Sequence, residues 1–269
     1  MHRLPALALA AFLITAFALP APTAPPQQLA YRVPSPPTAT YHVVDTTTVT
    51  MTTPMGPMEG SGNSSFTFAV TFAAEGDGVR AAGELTEFAA QGNEPMAGPA
   101  AISRSQARAG DFDLLLGPQG VGEVVAKAIR GADGDLPMWG DPTEGMFPRL
   151  PAGEVQPGDN WVDTVTHGVA EGRRVAVYTY TLAGETVVDG GPHLRVTFSA
   201  DVRLLIEMGG GAGDEALTGT ETGFFLWDLG RGLVTRAEVS RSYEGSIDVG
   251  GAGPMSMKTT AVTRVRLAM

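Results

Sequence analysis

The sequence predicts an all-β protein: a mainly antiparallel meander of long strands, curved into a half-barrel or barrel, with one short covering helix near residues 119–130. Apolar and polar residues alternate with a period of two over most of the chain, which is typical of strands with one dry face. Several alternating runs reach about 12 to 18 residues, well beyond an ordinary strand. Glycine- or proline-rich turns separate these runs, which predicts antiparallel neighbours, and long twisted strands of this kind tend to curl.

The N-terminus predicts export. A basic start is followed by the apolar run Leu4–Thr15, which is too short to span a bilayer, and then by a small-x-small pattern ending at Ala18. Residues 1–18 are therefore predicted to be a signal peptide, with a cut as late as Ala24 left open. A retained membrane anchor is the alternative, but the prolines that follow would break a continuing helix. The mature chain is expected to be periplasmic or extracellular.

Residues 19–38 are proline-rich and predict an extended linker before a single β-rich domain at 39–269. The chain has no cysteine, so neither a disulfide, a thiolate metal site nor a lipid-bearing cysteine is expected. Its formal net charge of −11 argues against nucleic acid as a partner. Solubility is the simplest explanation of that charge.

The strands follow one another from residue 41 onwards. Tyr41–Thr52 is rich in β-branched residues, and Arg195–Met208 shows the clearest alternation, with one dry and one wet face. Further alternating runs lie at 66–72, 79–85, 175–182, 236–248 and 255–267. In contrast, Gln119–Arg130 places apolar residues at spacings of three and four before Gly131, which predicts the covering helix.

An internal similarity between Phe112–Gly120 and Phe225–Gly232 suggests two related halves, 39–135 and 150–269. A Pro/Gly-rich segment joins them and raises a choice between an active-site loop and a hinge. Gly158 and Asp159 are typical turn residues, so we predict a structural hinge there. Trp161 is then expected to begin a strand and to plug one end of the core.

The sequence carries no recognisable catalytic constellation. His42, His167 and His193 lie far apart, without the spacing of a zinc site. The serines near glycine fall in turns that do not open a helix, and the glycine run at 209–213 leads into an acidic strand rather than a phosphate-binding helix. We therefore expect a protein that is not an enzyme, with no cofactor and no metal.

The predicted meander with its covering helix resembles the periplasmic lipoprotein-carrier and mycobacterial lipid-carrier half-barrels. The segment L-P-x-x-x-V-x-x-G-D-x-W, from Leu150 to Trp161, is similar to one in uncharacterised secreted bacterial proteins that share a domain of unknown function. The first resemblance implies a lipid or another apolar small molecule as the ligand, bound or carried in the bacterial envelope. The expected lining comprises Phe198, Val202, Leu204, Ile206, Val239 and Tyr243.

Two alternatives remain open at this point. The same dry residues would equally serve as ordinary core packing, which makes the protein a structural or protein-interaction module that acts through loops or edge strands. An enzyme with a dispersed site is the third hypothesis. The ligand, the oligomeric state and the existence of a pocket do not follow from the sequence.

Overall fold

The computed structural model describes residues 25–94, 98–101, 110–127, 143, 145–169, 172–206, 215–248 and 254–268. The predicted signal peptide and the start of the predicted linker lie outside these ranges. The strands are β1 (Thr38–Thr53), β2 (Gly56–Glu75), β3 (Gly78–Glu94), β4 (Gly98–Ala101), β5 (Phe112–Gly117), β6 (Gly120–Lys127), β7 (Asn160–Val169), β8 (Gly172–Val188), β9 (Gly191–Ile206), β10 (Glu215–Asp228), β11 (Leu233–Asp248) and β12 (Pro254–Ala268).

All of these strands belong to one antiparallel sheet, so the predicted meander is confirmed. The order across it is β6-β5-β3-β2-β1-β12-β11-β10-β9-β8-β7, and β4 pairs with β3. The first strand thus pairs with the last, which joins the halves β1–β6 and β7–β12 along thirteen paired positions from Thr40–Ala268 to Thr52–Ser256. Since this path ends at β6 on one side and β7 on the other, the sheet is open, and of the two predicted alternatives the closed barrel is wrong.

One face of the sheet, called the inner face below, carries the core. On β9, Val196, Ala200, Val202 and Leu204 are buried, whereas Ser199, Asp201 and Arg203 between them are exposed. The strands β1, β2, β5, β8, β11 and β12 show the same alternation. A period of two places successive side chains on opposite faces, so the outer face is polar while the inner face is apolar.

The predicted covering helix near 119–130 is wrong, because residues 120–127 form strand β6. This strand pairs with β5 through two register shifts, at Asp113/Leu114 and at Leu115/Leu116. Each bulge adds a residue to the strand and changes the phase of the alternation, so a doubly bulged strand imitates the three-and-four spacing of a helix. Within the described ranges, no helix has the length and apolar character needed to cross a membrane.

Two irregular segments cover the inner face instead. Leu29 and Tyr31, which belong to the predicted linker, are buried in the core, and Gln27 forms an isolated two-hydrogen-bond bridge with Val155. The connection from β6 to β7 contributes Phe147, whose ring lies about 6 Å from those of Tyr31, Tyr41, Phe72 and Phe112. Part of the proline-rich segment is therefore a constituent of the fold, and Phe147 is the centre of the covering layer.

Candidate functional site

A row of methionines extends the inner face beyond this covering layer. Met51 on β1 pairs directly with Met58 on β2 and with Met257 on β12. Met51 and Met58 are half-buried and Met257 is buried, and Val49 lies one row closer to the core. These residues lie on the same face of the sheet as Tyr41. Each is separated from the core residues of its strand by an even number of positions, and the pairing of β1 with β2 and β12 contains no bulge. We call Val49, Met51, Met58 and Met257 the methionine patch.

The methionine patch lies far from the covering layer. Met51 is ten residues along β1 from Tyr41, the β1 residue whose ring contacts Phe147, and a strand rises by about 3.3 Å per residue. The two features are thus separated by roughly 33 Å along the strand. Directly paired side chains stand about 5 Å apart, so the three methionines form a continuous thioether surface across three strands.

A polar belt crosses the inner face between the core and the methionine patch. Thr263 on β12 donates a hydrogen bond to Asp45 Oδ1 at 2.9 Å and accepts one from Arg241 Nη1 at 2.5 Å. Thr47 also faces Asp45, at 3.4 Å. The belt therefore connects β11, β12 and β1 through side chains as well as through the backbone ladder.

The belt continues into a buried ionic cluster centred on Glu221 of β10. The Glu221 side chain is 0% exposed and lies 2.5 Å from Arg174 Nη2 on β8 and 3.5 Å from Arg241 Nε on β11. Tyr178 and Tyr243 both donate hydrogen bonds to its carboxylate. One carboxylate thus receives two guanidinium groups and two phenol groups from strands β8 and β11, in an environment where an uncompensated charge would be very costly.

The cluster keeps Glu221 ionised. Burial by itself would raise the pKa of this carboxyl, but the charges of Arg174 and Arg241 and the hydrogen bond from Tyr243 outweigh it and lower the pKa to about 2. Burial and the adjacent Glu221 carboxylate raise the pKa of Tyr243 above its ordinary value, so its hydroxyl stays a donor. The chemistry of this cluster is ion pairing, with every described partner engaged, and it stabilises the shape of the inner face.

The structure divides the predicted ligand lining between core and cluster. Val202, Leu204 and Val239 are buried in the inner face, and Phe198 is half-buried with its ring 5.9 Å from those of Tyr178 and Tyr180. Tyr243 belongs to the ionic cluster. Ile206 is at the end of β9, where only its backbone pairing with Glu215 and Gly172 is described. The methionine patch shares no residue with this predicted lining.

The predicted hinge residues form a turn at the entrance of β7. Gly158 has a φ of 97°, a conformation that favours glycine, and its N–H donates to the Leu182 carbonyl. The Asp159 carboxylate accepts a hydrogen bond from the Gln156 N–H at 2.8 Å. Trp161 lies in β7 and stacks on Tyr180 at 5.3 Å, but it is only half-buried, while Phe147 occupies the centre.

Sequence reasoning missed Arg174, Glu221 and Arg241, although a signal for them exists. Each is a charged residue at a position whose neighbours two residues away are apolar or small, as in Leu217-x-Gly219-x-Glu221-x-Gly223-x-Phe225. A charged residue among the apolar positions of an alternating strand predicts a buried ion pair. An oppositely charged residue among the apolar positions of another strand is its expected partner. Met51 pairs with Met58 through the β1–β2 hairpin, but its pairing with Met257 depends on the β1–β12 register, which local sequence does not contain.

The histidines remain apart in the structure. His42 is exposed beside Thr67, and buried His193 lies 3.0 Å from the Gly191 carbonyl. His167 is in β7. Among the described residues, no group of three or more histidine or acidic side chains is arranged to hold a metal ion.

Comparison with known proteins adds a fold-level similarity. No protein-family model matches the chain, and no curated protein matches it in sequence. A solved structure titled "Lipid-protein interactions in lipovitellin" superposes with a TM-score of 0.53 at 10% sequence identity. The match covers 87% of this chain and 25% of that one, so this chain spans about a quarter of the larger protein. At this identity the likeness concerns the fold alone.

Proposed function

We propose that the protein binds a lipophilic ligand, such as an acyl chain, on the inner face of its sheet at the methionine patch. The observation that carries the proposal is the row of Met51, Met58 and Met257 on adjacent strands of the inner face, of which Met51 and Met58 are only half-buried. The export predicted from the N-terminus makes the bacterial envelope the expected compartment.

The chemistry of methionine supports this proposal. Its unbranched thioether side chain has three rotatable bonds and adapts to apolar partners of different shapes, which is why it is frequent on promiscuous binding surfaces. Strands would otherwise favour β-branched or aromatic residues at such positions. The similarity in fold to the lipovitellin structure adds independent support for an apolar ligand.

A titration with a fluorescent fatty-acid probe tests the proposal. Met51→Gln keeps the length of the side chain but makes the patch polar, and losing part of one buried methionine contact costs about 1.4 kcal/mol, or about tenfold in Kd. Met55→Gln is the matched control, because Met55 is 88% exposed in the turn between β1 and β2. We expect tenfold weaker binding for Met51→Gln and unchanged binding for Met55→Gln.

A second readout is the lipid that accompanies the protein. The protein is purified from its native membrane fraction and then extracted with organic solvent. Lipid present at about one molecule per chain would support a carrier. Absence of both extracted lipid and probe binding would contradict the proposal and favour an interaction module with a filled core. Equal loss of probe binding in Met51→Gln and Met55→Gln would place the ligand elsewhere.

A further inference from the structure

The outer face of the second half contains a groove of about 580 Å³ above strands β8 to β11. Its floor is the β9–β10 pair, where Val202 lies opposite Gly219. Two cross-strand rows line it, Val175–Arg203–Thr218–Glu244 and Val177–Asp201–Thr220–Ser242. Its volume is within the range of about 300–1,000 Å³ that is usual for small-molecule sites.

The polar side chains of this groove are unengaged. Within the described part of the chain, none of the six makes a side-chain hydrogen bond or an ion pair with another protein group: Asp201, Arg203, Thr218, Thr220, Ser242 and Glu244. Elsewhere on the surface such residues do pair, as Arg264 does with Glu238 at 2.9 Å and Arg80 with Asp113 at 2.5 Å. The hydrogen-bond donors and acceptors of the groove are therefore available to a ligand.

Charge and polarity within the groove narrow the class of ligand. Asp201 and Arg203 are two residues apart on β9 and oppose each other in sign, and Glu244 pairs in register with Lys258 of β12. The local charge is thus nearly balanced, which gives little attraction to nucleic acid or to a strongly charged peptide. Val175 and exposed Val177 make the β8 end of both rows apolar, whereas the positions on β9, β10 and β11 present hydroxyl, carboxylate and guanidinium groups.

We infer that this groove binds a neutral oligosaccharide. A pyranose ring has an apolar C–H face and a rim of hydroxyl groups that both donate and accept hydrogen bonds. The two valines at the β8 end fit the C–H face, and the Thr, Ser, Asp and Arg groups fit the hydroxyl rim. The site is on the opposite face of the sheet from the methionine patch and is independent of lipid binding.

Fluorescence anisotropy with labelled cellohexaose, maltohexaose and chitohexaose tests the assignment. The wild-type protein should bind at least one of them, with little dependence on salt because the ligand is uncharged. Thr220→Val and Asp201→Ala should each weaken binding at least tenfold, since each removes a direct polar contact. Thr222→Val is the matched control, being exposed on the same strand two residues beyond the groove lining.

Fatty-acid binding measured in parallel should be unchanged in Thr220→Val, which distinguishes this site from the methionine patch. Failure of the wild type to bind any of the three sugars would overturn the inference. So would an equal loss in Thr222→Val, or selective binding of polylysine that Asp201→Ala abolishes, since the latter would identify a cationic peptide as the ligand.

Discussion

Replacing Glu221 with glutamine removes the carboxylate that lies between Arg174 and Arg241 while preserving the size of the side chain. Two guanidinium groups, with side chains only 1% and 3% exposed, then lose their common counter-charge in the interior. Breaking a buried ion pair from one side costs about 3–5 kcal/mol, because the remaining charge stays desolvated. Glu221→Gln should therefore lower the free energy of unfolding by roughly that amount.

Urea denaturation followed by tryptophan fluorescence measures this loss, since Trp227 is buried and changes environment on unfolding. The midpoint should fall with little change in the slope, because the surface exposed on unfolding is nearly the same. Glu238→Gln is the matched control: its pair with Arg264 is largely solvent-accessible, so the expected loss is about 0–1 kcal/mol.

A double-mutant cycle with Arg174→Gln should show a coupling energy of about 1–3 kcal/mol, as expected for groups that share one network. Equal, small losses in Glu221→Gln and Glu238→Gln would refute the reasoning. That result would mean that water solvates the cluster and that the inner face is not dry at this depth.

Three further outcomes follow from the geometry. The pKa of Glu221 is about 2 in the folded state, below its ordinary value of 4.5. The ionised carboxylate therefore contributes about 3 kcal/mol to the free energy of unfolding above pH 4.5, and this contribution disappears as the pH falls towards 2. In acid, the difference in stability between the wild type and Glu221→Gln should shrink. Phe147→Ala should cost about 3–5 kcal/mol in urea unfolding, whereas Trp161→Ala, at a half-buried site, should cost less. The reverse order would favour Trp161, predicted to plug one end of the core, over Phe147 as the main stabilising ring. Gly158→Ala should lower the free energy of unfolding by about 1–2 kcal/mol, because alanine is strained at the Gly158 φ of 97°. Gly153→Ala, where an added Cβ would contact no other atom, should change stability little. Equal effects of the two substitutions would contradict the turn geometry.

Much of the fold follows from local patterns. The alternation in Arg195–Met208 correctly predicts strand β9 as far as Ile206 and the burial of Val196, Ala200, Val202 and Leu204, because a period of two is a direct consequence of strand geometry. Phe198 of the same predicted face is half-buried, and residues 207–208 lie outside the described ranges. The glycine-rich turns predicted at Glu75–Gly78 and Asp189–Pro192 likewise connect paired strands, although Gly191 and Pro192 are the first residues of β9. Local sequence is sufficient to predict a strand where the residues on either side of each position determine which face of the sheet its side chain occupies.

The remaining features depend on contacts between distant residues. Bulges in β6 imitate a helix, and their position is set by pairing with β5. Leu29 and Tyr31 sit in a proline-rich segment whose composition predicts a solvated linker, yet tertiary packing buries them. The pairing of β1 with β12 links residues more than 200 positions apart, and both the methionine patch and the contact of Thr263 with Asp45 depend on it.

Photo-crosslinking with a diazirine-bearing fatty acid, followed by peptide mass spectrometry, tests the proposed lipophilic site most directly. We expect labels on the inner-face residues of the peptides containing Met51, Met58 and Met257, and loss of those labels when unlabelled fatty acid competes. Labels confined to exposed apolar positions such as Val162 and Val187, or labels that competition does not reduce, would contradict it.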